Sequence, residues 1–223
     1  QHFLSDIVWE EGRILSGYHG LVYEDLGDAE GVLIFDESGF VKKGNDSVGV
    51  SRQYCGNVGK VENCQVGVYA AYASRHGYSF LDNRLFIPEK WFGEDYAERR
   101  EKCRLPTEIS FKTKPQLAVE MLEKIVGEGV IPFRYVVADS IYGNSPEFLE
   151  AVEKLPGVTY LVALPRDTLC WLQEPAILDK TYRYGGEKRT KRILAKTEKK
   201  PITFDKIARG TNDYFWYRRT VSE

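Results

Sequence analysis

Two short apolar runs, each followed by an aspartate, constrain the fold of this chain more than any other feature. The first runs from Val32 to Phe35 and precedes Asp36; the second runs from Tyr135 to Ala138 and precedes Asp139. Such runs are typical of buried β-strands. A carboxylate at the end of a buried strand lies at the rim of the sheet, and two such ends side by side can bind a divalent metal. That is the core requirement for metal-assisted phosphoryl transfer.

The composition is that of a folded chain. Its 223 residues suffice for one large domain or two small ones, and 43% are hydrophobic, which argues against disorder. No apolar stretch approaches the ~20 residues of a membrane helix. The chain begins with Gln1 rather than Met, which suggests a fragment. The four cysteines form no C-x-x-C pair and the three histidines are scattered, so we expect no zinc site, although a Cys55–Cys64 bridge stays open.

The order of the elements predicts a mixed sheet. Residues 1–28 have a helical apolar stripe, and β-prone segments at 48–54, 61–73 and 78–87 follow the first aspartate as an antiparallel meander. The glycine-rich residues 37–39 and 42–46 are expected to form turns. Two helices, opened by Thr113-Lys114-Pro115 and Ser145-Pro146-Glu147, then flank the second aspartate strand, and residues 158–164 are predicted to be a buried parallel strand.

We expect the two aspartate strands to be parallel neighbours. Neighbouring strands lie ~4.8 Å apart, and paired catalytic metals lie ~3.5–4 Å apart, so the two distances are compatible. Such a pairing is also a topological switch point, where open sheets commonly bind ligands. Each aspartate has an alternative interpretation as a turn residue, but two equivalent acids are harder to attribute to turns alone.

Basic and amide side chains mark two candidate DNA contacts. Near Asp36, Lys43, Arg52 and Lys60 could meet phosphates, while Gln53, Asn63 and Gln65 could bond sugars or base edges. The alternative is an ordinary polar hairpin. From Thr181 to Lys200 there are eight basic residues against two acidic ones, including Lys188, Arg189, Lys191 and Arg192. This run could follow a phosphate backbone, although taken alone it slightly favours a solvated hairpin.

Several separate blocks, in this order, resemble the DDE transposases of bacterial insertion sequences, and most of all the insertion sequence 701 family within the IS-four-like group. The resemblance covers about residues 1 to 170 well and the remainder weakly. The blocks are Asp36-Glu37-Ser38-Gly39-Phe40 with Lys42-Lys43-Gly44, the segment from Ser47 to Gln65, Leu85-Phe86-Ile87-Pro88 with Trp91, Thr113-Lys114-Pro115, and Ala138-Asp139-Ser140-Ile141-Tyr142-Gly143.

The resemblance implies an α/β, ribonuclease H-like fold and metal-dependent cleavage and strand transfer of double-stranded DNA at transposon ends and target. It implies two Mg²⁺ ions, or Mn²⁺, held by two aspartates and a glutamate, with Asp36 and Asp139 as the first two acids. It further implies a bacterial, nucleoid-associated cytoplasmic protein that could act as a homodimer in synapsis. The expected domains are a helical segment (1–28), a catalytic core (29–165) and an incomplete β-rich insertion (166–223), with an aromatic strand near residues 214–217.

The third acid departs from the family pattern. The family has a glutamate in a context like Arg-Trp-x-x-Glu, which Glu174, Glu187, Glu198 and Glu223 all lack. We therefore expect a chain truncated before its last catalytic helix and inactive or nearly so; Glu37 and Glu147 are local carboxylates that we do not favour as substitutes. Two alternatives stay open: a non-catalytic DNA-binding remnant, and a metal-dependent phosphatase or hydrolase that uses the two aspartates.

Overall fold

A computed structural model describes residues 10–195 and 200–210. These residues belong to two compact units, and the boundary along the chain lies between Ala163 and Leu164. The N-terminal unit contains a six-stranded sheet and five α-helices among its described residues. Its helices are α1 (Glu11–Leu26), α2 (Ala97–Lys102), α3 (Lys114–Glu128), α4 (Ser140–Gly143) and α5 (Pro146–Glu153). Its strands are β1 (Val32–Val41), β2 (Ser51–Cys55), β3 (Lys60–Ser74), β4 (Gly77–Phe86), β5 (Tyr135–Ala138) and β6 (Thr159–Val162).

The sheet is mixed, as the order of elements predicted. Its strands lie in the order β2-β3-β1-β5-β6. Strand β4 lies outside this order and pairs with a later part of β3 than β2 does. Strands β1 to β4 pair antiparallel, whereas β1, β5 and β6 run parallel to one another. Strand β1 is therefore the place where the antiparallel meander joins the parallel part of the sheet.

The expected pairing of the two aspartate strands is confirmed. Strands β1 and β5 are parallel neighbours, in a register that begins with Val32 opposite Tyr135 and ends with Phe35 opposite Ala138. The next position along each chain is an aspartate. The pairing thus places Asp36 and Asp139 beside each other at the point where β5 ends.

Local signals fix the helices that pack on this sheet. Thr113 and Gln116 form a capping box at the start of α3, and Gly129 ends the helix with a φ of 62°. The Ser145 hydroxyl caps α5 by accepting a hydrogen bond from the Phe148 N–H. Both helices therefore begin where the sequence predicted.

The core lies between one face of the sheet and helices α3 and α5. Phe148 of α5 is buried with its ring centroid 5.5 Å from that of Phe35 and 5.5 Å from that of Tyr142. Phe35 directly precedes Asp36. Tyr142 lies on α4, the short helix that begins directly after Asp139. Because buried side chains in close packing have little freedom to move, this aromatic cluster holds the two aspartate-bearing segments in place.

The prediction of a turn at residues 37–39 is wrong, because β1 continues to Val41. Its whole ten-residue length pairs with β3, and this long-range ladder outweighs the local preference of Ser38 and Gly39 for a turn. Gly39 is needed here for space rather than for a turn, since a Cβ atom would lie 2.6 Å from the Cys55 sulfur.

The prediction of a buried strand at residues 158–164 is also wrong in its burial. Strand β6 is parallel to β5 but lies at the edge of the sheet, and Leu161 is 72% exposed. An apolar run shows that a strand can be buried; whether it is buried depends on what packs beside it.

His19 has a structural role. Its side chain is fully buried on α1, with Nδ1 2.5 Å from Glu128 Oε2 and Nε2 3.0 Å from the Leu81 carbonyl oxygen. These contacts link α1 to both α3 and β4. The cysteines carry free thiols, so the Cys55–Cys64 bridge is absent; burial raises the pKa of the Cys64 thiol to about 11.

The C-terminal unit contains two small antiparallel sheets and a helix among its described residues. Strands β7 (Leu169–Cys170) and β10 (Ile202–Thr203) form one sheet, β8 (Ile177–Tyr184) and β9 (Glu187–Leu194) form the other, and α6 spans Phe204–Gly210. The aromatic strand predicted near residues 214–217 lies outside the described residues. Within the described ranges, no helix has the length and apolar character to cross a membrane.

Candidate metal centre

The candidate site lies where β5 ends beside β1. Asp139 follows the last residue of β5, as predicted. Asp36, in contrast, does not end its strand: β1 continues for five residues past it, and Asp36 is paired with Tyr69 of β3. The prediction of two equivalent strand ends is therefore corrected, because β3 supports β1 beyond the point where β5 stops.

Three carboxylates converge at this point. One oxygen from each of Asp36, Glu37 and Asp139 lies within 4.8 Å of the other two. Asp36 is exposed, and the other two are half-buried. Carboxylate oxygens are hard ligands that suit Mg²⁺ and Mn²⁺, so the side chains present fit a divalent cation. Both aspartates were predicted from the sequence, whereas Glu37 was not favoured.

Backbone N–H groups orient the two aspartates. Asp139 is the N-cap of α4, and its Oδ1 accepts a hydrogen bond of 2.9 Å from the Ile141 N–H. Asp36 Oδ1 accepts one of 2.7 Å from the Glu37 N–H. Asp139 thus has the turn geometry of the alternative interpretation and also belongs to the acidic cluster; the two interpretations do not exclude each other.

Glu37 is held by two side chains from distant parts of the sequence. Lys114 Nζ, in the first turn of α3, lies 2.7 Å from Glu37 Oε1. The hydroxyl of the fully buried Tyr142 donates to Glu37 Oε2 at 3.1 Å. Burial, followed by the nearby negative charge of Glu37, raises the pKa of Tyr142 far above its usual range, so this hydroxyl stays protonated and remains a donor.

The charges at the cluster favour cation binding. Three carboxylates and the one ammonium of Lys114 leave two negative charges that the contacts among the described residues do not compensate. Like charges this close repel one another strongly when partly shielded from water. A bound divalent cation would remove that repulsion.

The three amide side chains predicted to contact DNA form hydrogen bonds within their own hairpin region. Gln53 donates to the Cys64 carbonyl at 2.9 Å, Asn63 to the Lys42 carbonyl at 2.9 Å, and Gln65 to the Val48 carbonyl at 2.6 Å. These bonds hold residues 42–48 and β2 against β3. A structural role therefore accounts for these amide groups, and their contact with DNA stays a prediction.

The basic side chains predicted to contact DNA are exposed. Lys43, Arg52 and Lys60 lie in the N-terminal unit, where Lys60 is paired with Glu62 at 3.3 Å. The other four lie on β9, whose hairpin with β8 turns through Gly185 and Gly186 at φ values of 59° and 84°. They are Lys188, Arg189, Lys191 and Arg192.

Gly143, the last residue of α4, packs against the end of the sheet and offers a test of how tightly the site is built. A Cβ atom there would lie 2.3 Å from the Ala163 carbonyl oxygen and 3.1 Å from Val162 Cβ. Gly143→Ala is therefore expected to lower the free energy of unfolding by about 1–3 kcal/mol, the usual cost of overpacking. Urea denaturation monitored by tryptophan fluorescence measures the change.

Gly127→Ala is the matched control for this substitution. Gly127 lies on α3 and would place its Cβ atom in open space, so alanine there is expected to raise the free energy of unfolding by up to about 1 kcal/mol. Equal effects of the two substitutions would contradict the close packing of α4 on the sheet.

Comparison with known proteins agrees with the site. The whole chain, residues 1–223, matches the family model described as DDE superfamily endonuclease. A relative in Microchaete diplosiphon, described as a probable transposase for insertion sequence element IS701, is 33% identical over 164 residues. The match covers 73% of this chain and 39% of the relative, so the chain spans well under half of that protein's length. No solved structure matches. The chain therefore belongs to the DDE superfamily of endonucleases, as its resemblance to insertion-sequence transposases indicated.

Proposed function

We propose that the chain forms part of the catalytic region of a transposase that cuts and joins DNA at the ends of an insertion sequence. The observation that carries this proposal is the convergence of Asp36, Glu37 and Asp139 at the β1–β5 junction. The mixed sheet, with its meander followed by parallel strands, is consistent with a ribonuclease H-like fold. The truncation before a last catalytic helix stays a prediction from sequence.

The residues of the cluster have distinct roles in this proposal. Asp36 and Asp139 would hold Mg²⁺ or Mn²⁺, with two ions in the complete enzyme. A metal bound there would supply Lewis-acid chemistry to a water or a DNA 3′-hydroxyl and to the leaving oxygen. The backbone N–H groups of Glu37 and Ile141 fix the orientation of the two carboxylates, and such preorientation is what metal-assisted catalysis requires of its protein.

The hairpin β8–β9 supports DNA rather than a small phosphate ester as substrate. All residues of β8 are exposed, as are all residues of β9 except the half-buried Ile193. A two-stranded ribbon is narrow enough to enter the major groove of B-DNA, and basic side chains on it can neutralise phosphates. Double-stranded DNA is accordingly the proposed partner, in the bacterial nucleoid, and dimerisation in synapsis stays a prediction.

Titration of the purified chain with Mn²⁺, with binding measured by isothermal calorimetry, tests the metal centre directly. Asp36→Asn and Asp139→Asn are each expected to weaken Mn²⁺ binding by about 10-fold or more, because loss of groups that hold or orient a metal commonly has such an effect. Asparagine retains the size of the side chain and, at position 139, the capping oxygen. Glu147→Gln, at an exposed carboxylate outside the cluster, is the control and should bind as the unaltered chain does.

The outcomes separate the candidate functions. Undetectable Mn²⁺ binding by the unaltered chain, together with salt-dependent DNA binding, would contradict the proposal and favour the non-catalytic DNA-binding remnant. Hydrolysis of nitrophenyl phosphate without any action on DNA would favour a phosphatase instead.

A further inference from the structure

We propose that Glu37 is a third carboxylate of the metal centre, and that Tyr142 and Lys114 are positioning residues that hold it there. This inference rests on the proposed function, because it concerns the same metal. It goes further in assigning to the metal a third ligand, Glu37, which follows Asp36 in β1, in addition to the two aspartates.

The path of β1 explains how neighbouring residues can serve one cation. Successive side chains of a strand point to opposite faces, so Asp36 and Glu37 leave β1 on different sides. Strand β5 ends at Ala138, opposite Phe35. Beyond the pair of Phe35 and Ala138, no residue of β5 lies between the two faces of the sheet. One oxygen of Asp36 and one of Glu37 therefore both lie within 4.8 Å of an Asp139 oxygen.

Two anchored elements converge on Glu37. Tyr142 belongs to α4, the helix that Asp139 caps, so the same short segment supplies both a ligand and the hydroxyl that orients Glu37. Lys114 begins α3, whose start is fixed by the Thr113 capping box. Neither contact depends on a mobile exposed chain, since Lys114 and Glu37 are only 18% and 17% exposed.

Glu37 still has electron pairs with which to bind a cation. Each carboxylate oxygen can accept two hydrogen bonds or ligand bonds. Lys114 occupies one site on Oε1 and Tyr142 one on Oε2, which leaves one on each oxygen. An ion pair that served only to join β1 to α3 would gain nothing from placing Glu37 beside two further carboxylates, because their repulsion would weaken it.

The same Mn²⁺ titration tests Glu37 when two more variants are added. Glu37→Gln is expected to weaken Mn²⁺ binding by about 10-fold or more, and Tyr142→Phe, which keeps the buried ring, by about 10-fold. Glu147→Gln is the matched control, with the same change of side chain at an exposed position. Unfolding midpoints measured in EDTA show that each variant is folded, and their increase on adding Mn²⁺ gives a second readout of binding.

Each result has a defined meaning. Weakened Mn²⁺ binding in Glu37→Gln and Tyr142→Phe, with normal binding in Glu147→Gln, supports the inference. Normal binding in Glu37→Gln, together with loss in Asp36→Asn, overturns it and leaves the proposed function standing. If Glu37→Gln does not fold, Tyr142→Phe decides, since it leaves the Lys114–Glu37 ion pair in place. A chain that binds no Mn²⁺ at all overturns both proposals.

Discussion

Asp139→Asn is expected to reduce, by about 1,000-fold, whatever Mg²⁺-dependent nicking of supercoiled plasmid the unaltered chain retains. A catalytic metal contributes several kcal/mol to stabilisation of the transition state, and each 1.36 kcal/mol corresponds to a factor of ten in rate. Asparagine keeps the bond from the Ile141 N–H that caps α4. The loss should therefore reflect the missing negative charge and not a changed fold. Gel electrophoresis of plasmid treated with each protein measures the rate.

Glu147→Gln and reactions in EDTA are the controls for plasmid nicking. Nicking is expected to survive Glu147→Gln and to disappear in EDTA. Nicking that persists at the full rate in Asp139→Asn would contradict the assignment of this acid. If the unaltered chain does not nick plasmid, the Mn²⁺ titration decides the role of Asp139.

The positions of the two aspartates could be predicted because each follows an apolar run that is recognisable within a few residues of sequence. Each apolar run predicts a strand, and each is followed by an acid. Once β1 and β5 are parallel neighbours, their register from Val32 and Tyr135 to Phe35 and Ala138 brings the acids together. The helix starts were equally predictable, since the caps at Thr113 and Ser145 act within one turn of the chain.

The role of Glu37 was hidden because it depends on contacts that no local pattern records. In sequence, Glu37-Ser38-Gly39 is typical of a turn. In the structure, pairing with β3 keeps these residues in β1, and Glu37 meets Lys114 and Tyr142, which are 77 and 105 positions away. The exposure of β6 was hidden for a similar reason: its neighbours, and not its apolar residues, determine which face is covered.

The sequence also left the basic run between two interpretations. Its described residues up to Leu194 belong to a solvated hairpin, as the preferred alternative held, whereas contact with a phosphate backbone stays a prediction. Arg189 is paired to Glu187 at 3.4 Å, and its guanidinium carbon lies 5.4 Å from the centroid of the Tyr184 ring. Yet the hairpin exposes nearly all of its side chains, and an isolated two-stranded hairpin has little stability of its own. Exposure on both faces is what a ribbon requires if it is to bind in a groove.

Replacing the four basic residues of β9 with alanine is expected to weaken binding to double-stranded DNA by about 1,000-fold at 0.1 M salt. The residues are Lys188, Arg189, Lys191 and Arg192. Four lost phosphate contacts reduce the slope of log affinity against log salt by roughly 3.6. Relative to 1 M salt, this slope corresponds to roughly three to four orders of magnitude in affinity at 0.1 M. Fluorescence anisotropy of a labelled duplex, measured over a series of salt concentrations, gives both the affinity and the slope.

Exchange of lysine and arginine at the same four positions is the matched control for this loss. The exchange keeps every positive charge on the ribbon, so an electrostatic contact with the phosphate backbone should survive it with little change in slope. The alanine variant should also keep its Mn²⁺ binding, because no basic residue of β9 is among the groups that form the acidic cluster. An alanine variant with an unchanged salt slope would show that the hairpin is only a solvated surface, and DNA would then have to be bound by other basic residues, such as Lys43, Arg52 and Lys60.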